Sequence, residues 1–169
     1  MKTLDGNIEL DSRRLTKMPR TPDGKYLFDG ISVNGTCQLS NNGLTSLEGC
    51  PERVSMFFDC SVNKLKTLRG CPRSVGGSFF CDDNELINLE GCSQEIAGNL
   101  YCSDNQLSSL RGCPEFIWGD VICESNRITT LDGFPKRIYG SLYLLYNDGP
   151  KFSVADIKSV CDVRKRIYL

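Results

Sequence analysis

The sequence predicts a solenoid, a stack of short and nearly identical coils that build a parallel sheet. The first observation behind this is a column of asparagines, Asn42, Asn63, Asn84, Asn105, Asn126 and Asn147, each 21 residues from the next. The second is that glycine keeps the same period at Gly49, Gly70, Gly91, Gly112 and Gly133. Leucine keeps it in two columns, Leu47, Leu68, Leu89, Leu110, Leu131 and Leu44, Leu65, Leu86, Leu107, Ile128. The third is that most cysteines obey it too, as Cys60, Cys81, Cys102, Cys123 and as Cys50, Cys71, Cys92, Cys113. Columns held in register over residues 35–149 do not arise by chance, and they set the coil length.

The consensus reads V-x-G-x-Φ-x-C-x-x-N-x-L-x-x-L-x-G-C-P, with Φ apolar. Its Phe79-x-Cys81-x-x-Asn84-x-Leu86 segment resembles the leucine-rich repeat, L-x-x-L-x-L-x-x-N-x-L, in the short form of bacterial effectors and small bacteriophage-encoded proteins. Leu68-x-Gly70-Cys71-Pro72 is similar to the Leu-Pro-x-Leu-Pro turn of that form, with cysteine at the second leucine. The departures are an extra residue before the strand, usually with glycine (Gly77, Gly98, Gly119, Gly140), and cysteine at two leucine positions. The resemblance implies a leucine-rich-repeat solenoid: a short parallel β-sheet on the concave face, an irregular or 3-10/turn convex side, and outward strand positions available for binding.

Three segments follow. Residues 1–34 read as an N-terminal capping coil, with Arg13 where the asparagine belongs and an insertion, 23–30, that covers the open end of the core. Residues 35–149 hold six 21-residue repeats. Residues 150–169 read as a C-terminal α-helical cap: Ser153-Val-Ala-Asp156 is a capping box, and Ile157, Val160 and Cys161 have helical spacing.

Composition narrows the function classes. A formal net charge of −1 gives no global reason to expect nucleic acid as a partner. No apolar run is long enough to span a bilayer and no signal-peptide pattern opens the chain, so the expected location is the cytoplasm, in the host cell if the chain is phage-encoded. In that reducing compartment the 10 cysteines are expected as free thiols or metal ligands.

Within each coil Phe79 and Cys81 lie two apart in a strand and face inward, whereas Ser78, Phe80 and Asp82 face outward. The cysteines occupy core positions, and cysteine is among the most frequently buried residue types. Metal is the competing reading, disfavoured because there is no C-x-x-C and no histidine, and a linear ladder of thiols does not surround a tetrahedral ion. The expectation is therefore no metal and no cofactor. Asparagine amides bond backbone groups of their own and the adjacent coil, and the glycine column marks a positive φ. The alternating Glu48, Arg69, Glu90, Arg111 and Asp132 favour coil register through attraction between stacked neighbours.

The outward column Asp59, Phe80, Tyr101, Ile122, Tyr143 turns aromatic where packing does not require it. Phe57 lies on one flank; Asp82 and Glu124, then Asp83, Asp104 and Tyr146, lie on the other. Rows of exposed aromatics are what protein-binding hot spots are made of, although aromatic side chains also stack up a ladder to stiffen it. The expected partner-binding residues are those eleven. Residues 35–149 carry 14 acidic and 9 basic side chains, which suggests a protein partner with a basic patch. The basic Arg164-Lys165-Arg166 is read as a solvated helix end.

Without histidine the usual Ser-His and Cys-His pairs are excluded, and no phosphate-cradling loop is present. The leading expectation is a non-catalytic protein-binding module, by resemblance a phage-encoded inhibitor of a host defence or housekeeping protein. A structural or assembly component of a virion or homo-oligomer is the alternative. Hydrolysis at Asp82, Asp83 and Asp104 is a distant third.

Overall fold

A computed structural model describes residues 2–149 and 151–169. Each coil contributes two short strands rather than one. The first sheet runs Lys2–Asp5, Ile31–Asn34, Arg53–Val54, Ser74–Val75, Glu95–Ile96, Phe116–Ile117, Arg137–Ile138 and Asp162–Val163. The second runs Ile8–Glu9, Cys37–Gln38, Phe58–Asp59, Phe79–Phe80, Leu100–Tyr101, Val121–Ile122, Leu142–Tyr143 and Ile167–Tyr168. Both sheets are eight-stranded and parallel, with residues one repeat apart in register, such as Phe58 with Phe79 and Val54 with Val75. The chain is a parallel β-solenoid.

The second sheet is the one anticipated from the Phe-x-Cys segment. The first corrects the single-sheet expectation, because the Val33, Val54, Val75, Ile96, Ile117, Ile138 column is itself a row of inward-facing strand residues, all buried. These are β-branched throughout, which suits a pleated strand. Between the two strands the chain turns a corner, and glycine holds that corner for a steric reason. A Cβ on Gly76 would overlap the Ser55 carbonyl, and one on Gly98 would lie 2.7 Å from the Gly77 backbone.

The core is one continuous column. Phe58, Phe79, Leu100, Val121 and Leu142 are fully buried, as are Cys60, Cys81, Cys102 and Cys123 beside them. Phe58 and Phe79 pack ring against ring at 5.2 Å. The thiols of Cys60, Cys81 and Cys123 each donate to the carbonyl one coil on, at 3.3 Å. Burial raises the thiols of Cys60 and Cys81 well above the ordinary range, the hydrogen bond with Cys123 and then burial do the same at Cys102, and burial pushes that of Cys71 up to about 12. A group so far from ionisation is a filler, not a nucleophile. All 10 cysteines are free, and no three His, Cys, Asp or Glu side chains among the described residues converge as metal ligands.

Asparagine fastens coil to coil. The Asn63 amide donates to Leu39, Cys60 and Ser61 carbonyls at 3.0–3.1 Å, while its oxygen accepts the Leu44 N–H at 2.9 Å. The same set recurs at Asn84, Asn105 and Asn126. The glycine column has φ between 74° and 94°, and a Cβ at Gly70 would meet the preceding coil's backbone at 2.7 Å. In the charged column Glu90 is paired on both sides, with Arg69 at 3.9 Å and Arg111 at 3.6 Å.

Both ends add detail to the expected caps. The insertion packs Tyr26 and Phe28 against the core. Its Tyr26 ring lies where a Cβ on Gly49 would fall and its hydroxyl bonds Glu48, so it replaces the backbone of a missing coil on that side. At the other end the capping box forms as anticipated, with Ser153 capping helix α1 (Val154–Val160), and Ile157 is buried. Pro150, the first residue of the expected cap, lies outside the described residues. The tail is more than a cap, because Asp162–Val163 and Ile167–Tyr168 add a final rung to both sheets. Arg164, Lys165 and Arg166 therefore form the corner between two strands, not a helix end. No helix among the described residues is long and apolar enough to cross a membrane.

Candidate functional site

The outer face of the second sheet carries the sequence-predicted column in strict register: Asp59 beside Phe80, Phe80 beside Tyr101, Tyr101 beside Ile122, Ile122 beside Tyr143. Parallel pairing at about 4.8 Å brings aromatic neighbours to stacking distance. Phe80 and Tyr101 stack with centroids 4.6 Å apart and planes within 6°. Phe57, from the corner of the preceding coil, meets Phe80 edge-on at 6.0 Å. The Asn99 amide donates to the Tyr101 hydroxyl at 2.9 Å, fixing the ring's outer edge. The stripe continues one rung beyond Tyr143, which stacks on Tyr168 at 4.5 Å. The helical spacing of the tail predicts a cap and no further rung, so it gives no sign of Tyr168 on this face.

Beside Phe57 and Phe80 lies a cleft of about 320 Å³, walled by Met56 and floored by Gly76 and Gly77. It exists because the glycines that the corner requires carry no side chain. Met56 is exposed at its rim.

The carboxylate rim divides into three kinds of residue. Asp59 accepts the Ser61 N–H at 2.9 Å and the Ser61 hydroxyl at 2.6 Å, closing a local turn. Asp82 accepts the Ser103 N–H of the next coil at 2.9 Å, so it ties coils together. Partial burial raises the Asp82 carboxyl to about 6, opposed by the Ser103 hydrogen bond and assisted by the nearby Asp83 and Asp59 charges. Asp83 and Asp104 are exposed and share φ of +52°. That left-handed conformation is one aspartate and asparagine tolerate, so backbone geometry selects them as much as any ligand does. Glu124 contributes its N–H to the Ser103 hydroxyl at 3.2 Å. Tyr146, also left-handed at +59°, stands apart at the C-terminal end beside a cavity of about 380 Å³ lined by Leu144, Phe152 and Leu169.

The flank holding Ser78, Asn99, Asp120 and Ser141 is structural. Each side-chain oxygen accepts a backbone N–H from the coil that follows, at 2.6–3.4 Å.

A second aromatic group lies on the first sheet and was not anticipated. Trp118 stacks on Tyr139 at 4.5 Å with planes within 8°, and Phe116 and Trp118 are among the most exposed large apolar residues. The signal available in the sequence was their position on either side of Ile117, which alternation places outward once Ile117 is a core residue.

The fold and site thus define a class: a parallel β-solenoid of 21-residue, thiol-filled coils with aromatic ladders on its outer faces. Comparisons with protein-family models, with curated protein sequences and with solved structures each return no match.

Proposed function

We propose that this solenoid is a non-catalytic protein-binding module whose partner docks on the outer face of the second sheet. The observation that carries the reading is the Phe80–Tyr101 stack with Phe57 set edge-on against it. Three rings fixed by their neighbours form a preorganised apolar surface, so little side-chain entropy is lost when a partner covers it. Met56 and the adjoining glycine-floored cleft offer a recess for one inserted side chain. The exposed Asp83 and Asp104 favour a partner with a basic patch. The motif resemblance supports the finer reading: a repeat of the leucine-rich type, encoded by a phage and acting in the host cytoplasm as an inhibitor of a host protein.

Immobilised wild-type chain, incubated with bacterial lysate, is expected to retain a partner that the Phe80→Asp/Tyr101→Asp variant loses. Both positions are only partly buried, so the variant should keep the wild-type circular dichroism spectrum. Equal capture by the two would move the partner to another face and sink the proposal.

A further inference from the structure

We propose that two copies of this chain pair through the outer face of the first sheet, with Trp118 of each copy seated over Ala97 of the other. This rests on a different sheet from the partner site above and does not depend on it.

The argument starts from one column. Gly76, Ala97, Trp118 and Tyr139 each follow the inward-facing residue of their rung, so they stand one above another on the outer face. Trp118 and Tyr139 stack at 4.5 Å with nearly parallel planes, which matches the rung spacing. Their rings therefore lie across the ladder. One face of the indole is covered by Tyr139 and the other looks along the ladder toward Ala97. That free face forms the end wall of an open cleft of about 560 Å³ that runs over Ala97, Gly76 and Ser55 as far as Asn34 and Thr3. Trp118 is 60% exposed, an unusual state for the chain's single tryptophan.

Two rungs with large rings thus adjoin two rungs with almost no side chain, on the same face. Such a surface complements itself. A two-fold axis running along the strands, midway between the Ala97 and Trp118 rungs, places Trp118 of the second copy over Ala97 and its Tyr139 over Gly76. The four rings then form one continuous stack, at the spacing the Trp118–Tyr139 pair already shows. This is an isologous contact, in which each copy gives and receives the same group.

The charges flanking that column agree with the same axis. The neighbouring outward column reads Arg53, Ser74, Glu95, Phe116, Arg137, Asp162. The axis sets Asp162 of one copy, which its own Arg137 and Arg164 hold at 2.8 and 3.2 Å, opposite Arg53 of the other, and Arg137 one rung from Glu95. Three cations and two carboxylates gather on each side of the dyad. An axis moved half a rung, through the Ala97 rung, would instead oppose Arg53 with Arg137 and Glu95 with Glu95.

Sedimentation equilibrium and tryptophan emission over a dilution series test the pairing together, because the only tryptophan lies at the contact. The wild-type mass is expected to rise from one chain to two with concentration, and the emission to shift to shorter wavelength in step. Ala97→Lys places a long side chain in the slot at an exposed position, so it should fold normally and stay monomeric. Trp118→Ser should also remain monomeric, while Phe80→Asp should pair as the wild type does. A wild type that is monomeric throughout, with constant emission, overturns the proposal and leaves the cleft to another occupant or none. A dimer that survives Ala97→Lys, or that forms without any change at Trp118, also overturns it.

Discussion

Replacing Asn84 by alanine tests whether the amide column holds the coils together. The Asn84 oxygen accepts the Leu65 N–H at 3.0 Å, and its amide donates to the carbonyls of Cys60, Cys81 and Asp82 at 3.0–3.2 Å. The three carbonyls each keep another donor in the variant: the Asn63 amide for Cys60, the Asn105 amide for Cys81 and the Val62 N–H for Asp82. The Leu65 N–H does not, since Asn84 is its acceptor, and Leu65 is fully buried. An orphaned buried N–H costs about 1–3 kcal/mol, and each neutral hydrogen bond lost about 1. With two amide protons giving up their acceptors, the total is about 3–5 kcal/mol. That is a large share of the stability of an ordinary domain.

Urea denaturation followed by circular dichroism measures the cost, with midpoints compared at matched slopes. Asn147→Ala, at the half-buried end of the column, should cost less because water can replace the amide. Asn84→Asp sharpens the test. Its carboxylate can still accept from Leu65 but faces three carbonyls with no proton to offer. The folded form then binds a proton more tightly than the unfolded one, so this variant should regain stability as pH falls. Asn84→Ala costing less than about 1 kcal/mol would refute the fastening role. So would an Asn84→Asp deficit that does not change with pH.

Val62 is β-branched yet sits at φ +54°, in the column filled elsewhere by Asn41, Asp83, Asp104, Ser125 and Tyr146. Val62→Asn should stabilise the fold by about 1 kcal/mol in the same urea assay, since its side chain is largely exposed and loses little packing; a loss of stability would show that the valine makes a contact worth its strain. Asp82 holds its proton up to about pH 6 in the fold but only to its ordinary value of 3.8 when unfolded, so the native state binds more protons between those values and stability falls as pH rises through them. Asp82→Asn keeps an acceptor for Ser103 and removes that fall, so at pH 7 it should gain about 1–2 kcal/mol relative to its effect near pH 4; parallel pH profiles for the two proteins would contradict this. Thiol titration of the native chain should leave Cys60, Cys81 and Cys102 unreacted until denaturant is added, and rapid native reaction at any of them would mean the coils open readily.

The period was legible because each column repeats a demand the coil makes at one point. Asn84 is dictated by orphaned backbone groups, Gly70 by a positive φ against the preceding coil, and Cys81 by limited core volume. The first sheet was less legible, although its signal was present. Val54, Val75, Ile96 and Ile117 are β-branched without exception, but a strand of two residues offers no alternation to read. The tail was hidden by a change of spacing. The strand that begins at Arg137 follows Asn126 by 11 residues, whereas Asp162 follows Asn147 by 15, because helix α1 takes the extra length. A reading tuned to 21 residues loses the register there, and Tyr168 and the basic corner with it.

The candidate site was visible in composition but not in consequence. An aromatic column in the sequence does not say whether its ring faces meet a partner or one another. In the structure they meet one another wherever two aromatics are adjacent, so the interior of each stack has little face left to offer. Among the described residues, ring faces that no aromatic neighbour covers lie where the ladder is interrupted or ends. Tyr101 and Tyr143 both look onto Ile122, the single aliphatic residue between them. Trp118 looks onto Ala97. The same logic demotes part of the acidic rim, since Asp59 and Asp82 spend their oxygens on Ser61 and Ser103. On this ladder the repeated residues therefore build the stack, and the residue that departs from the repeat leaves part of a neighbouring ring uncovered.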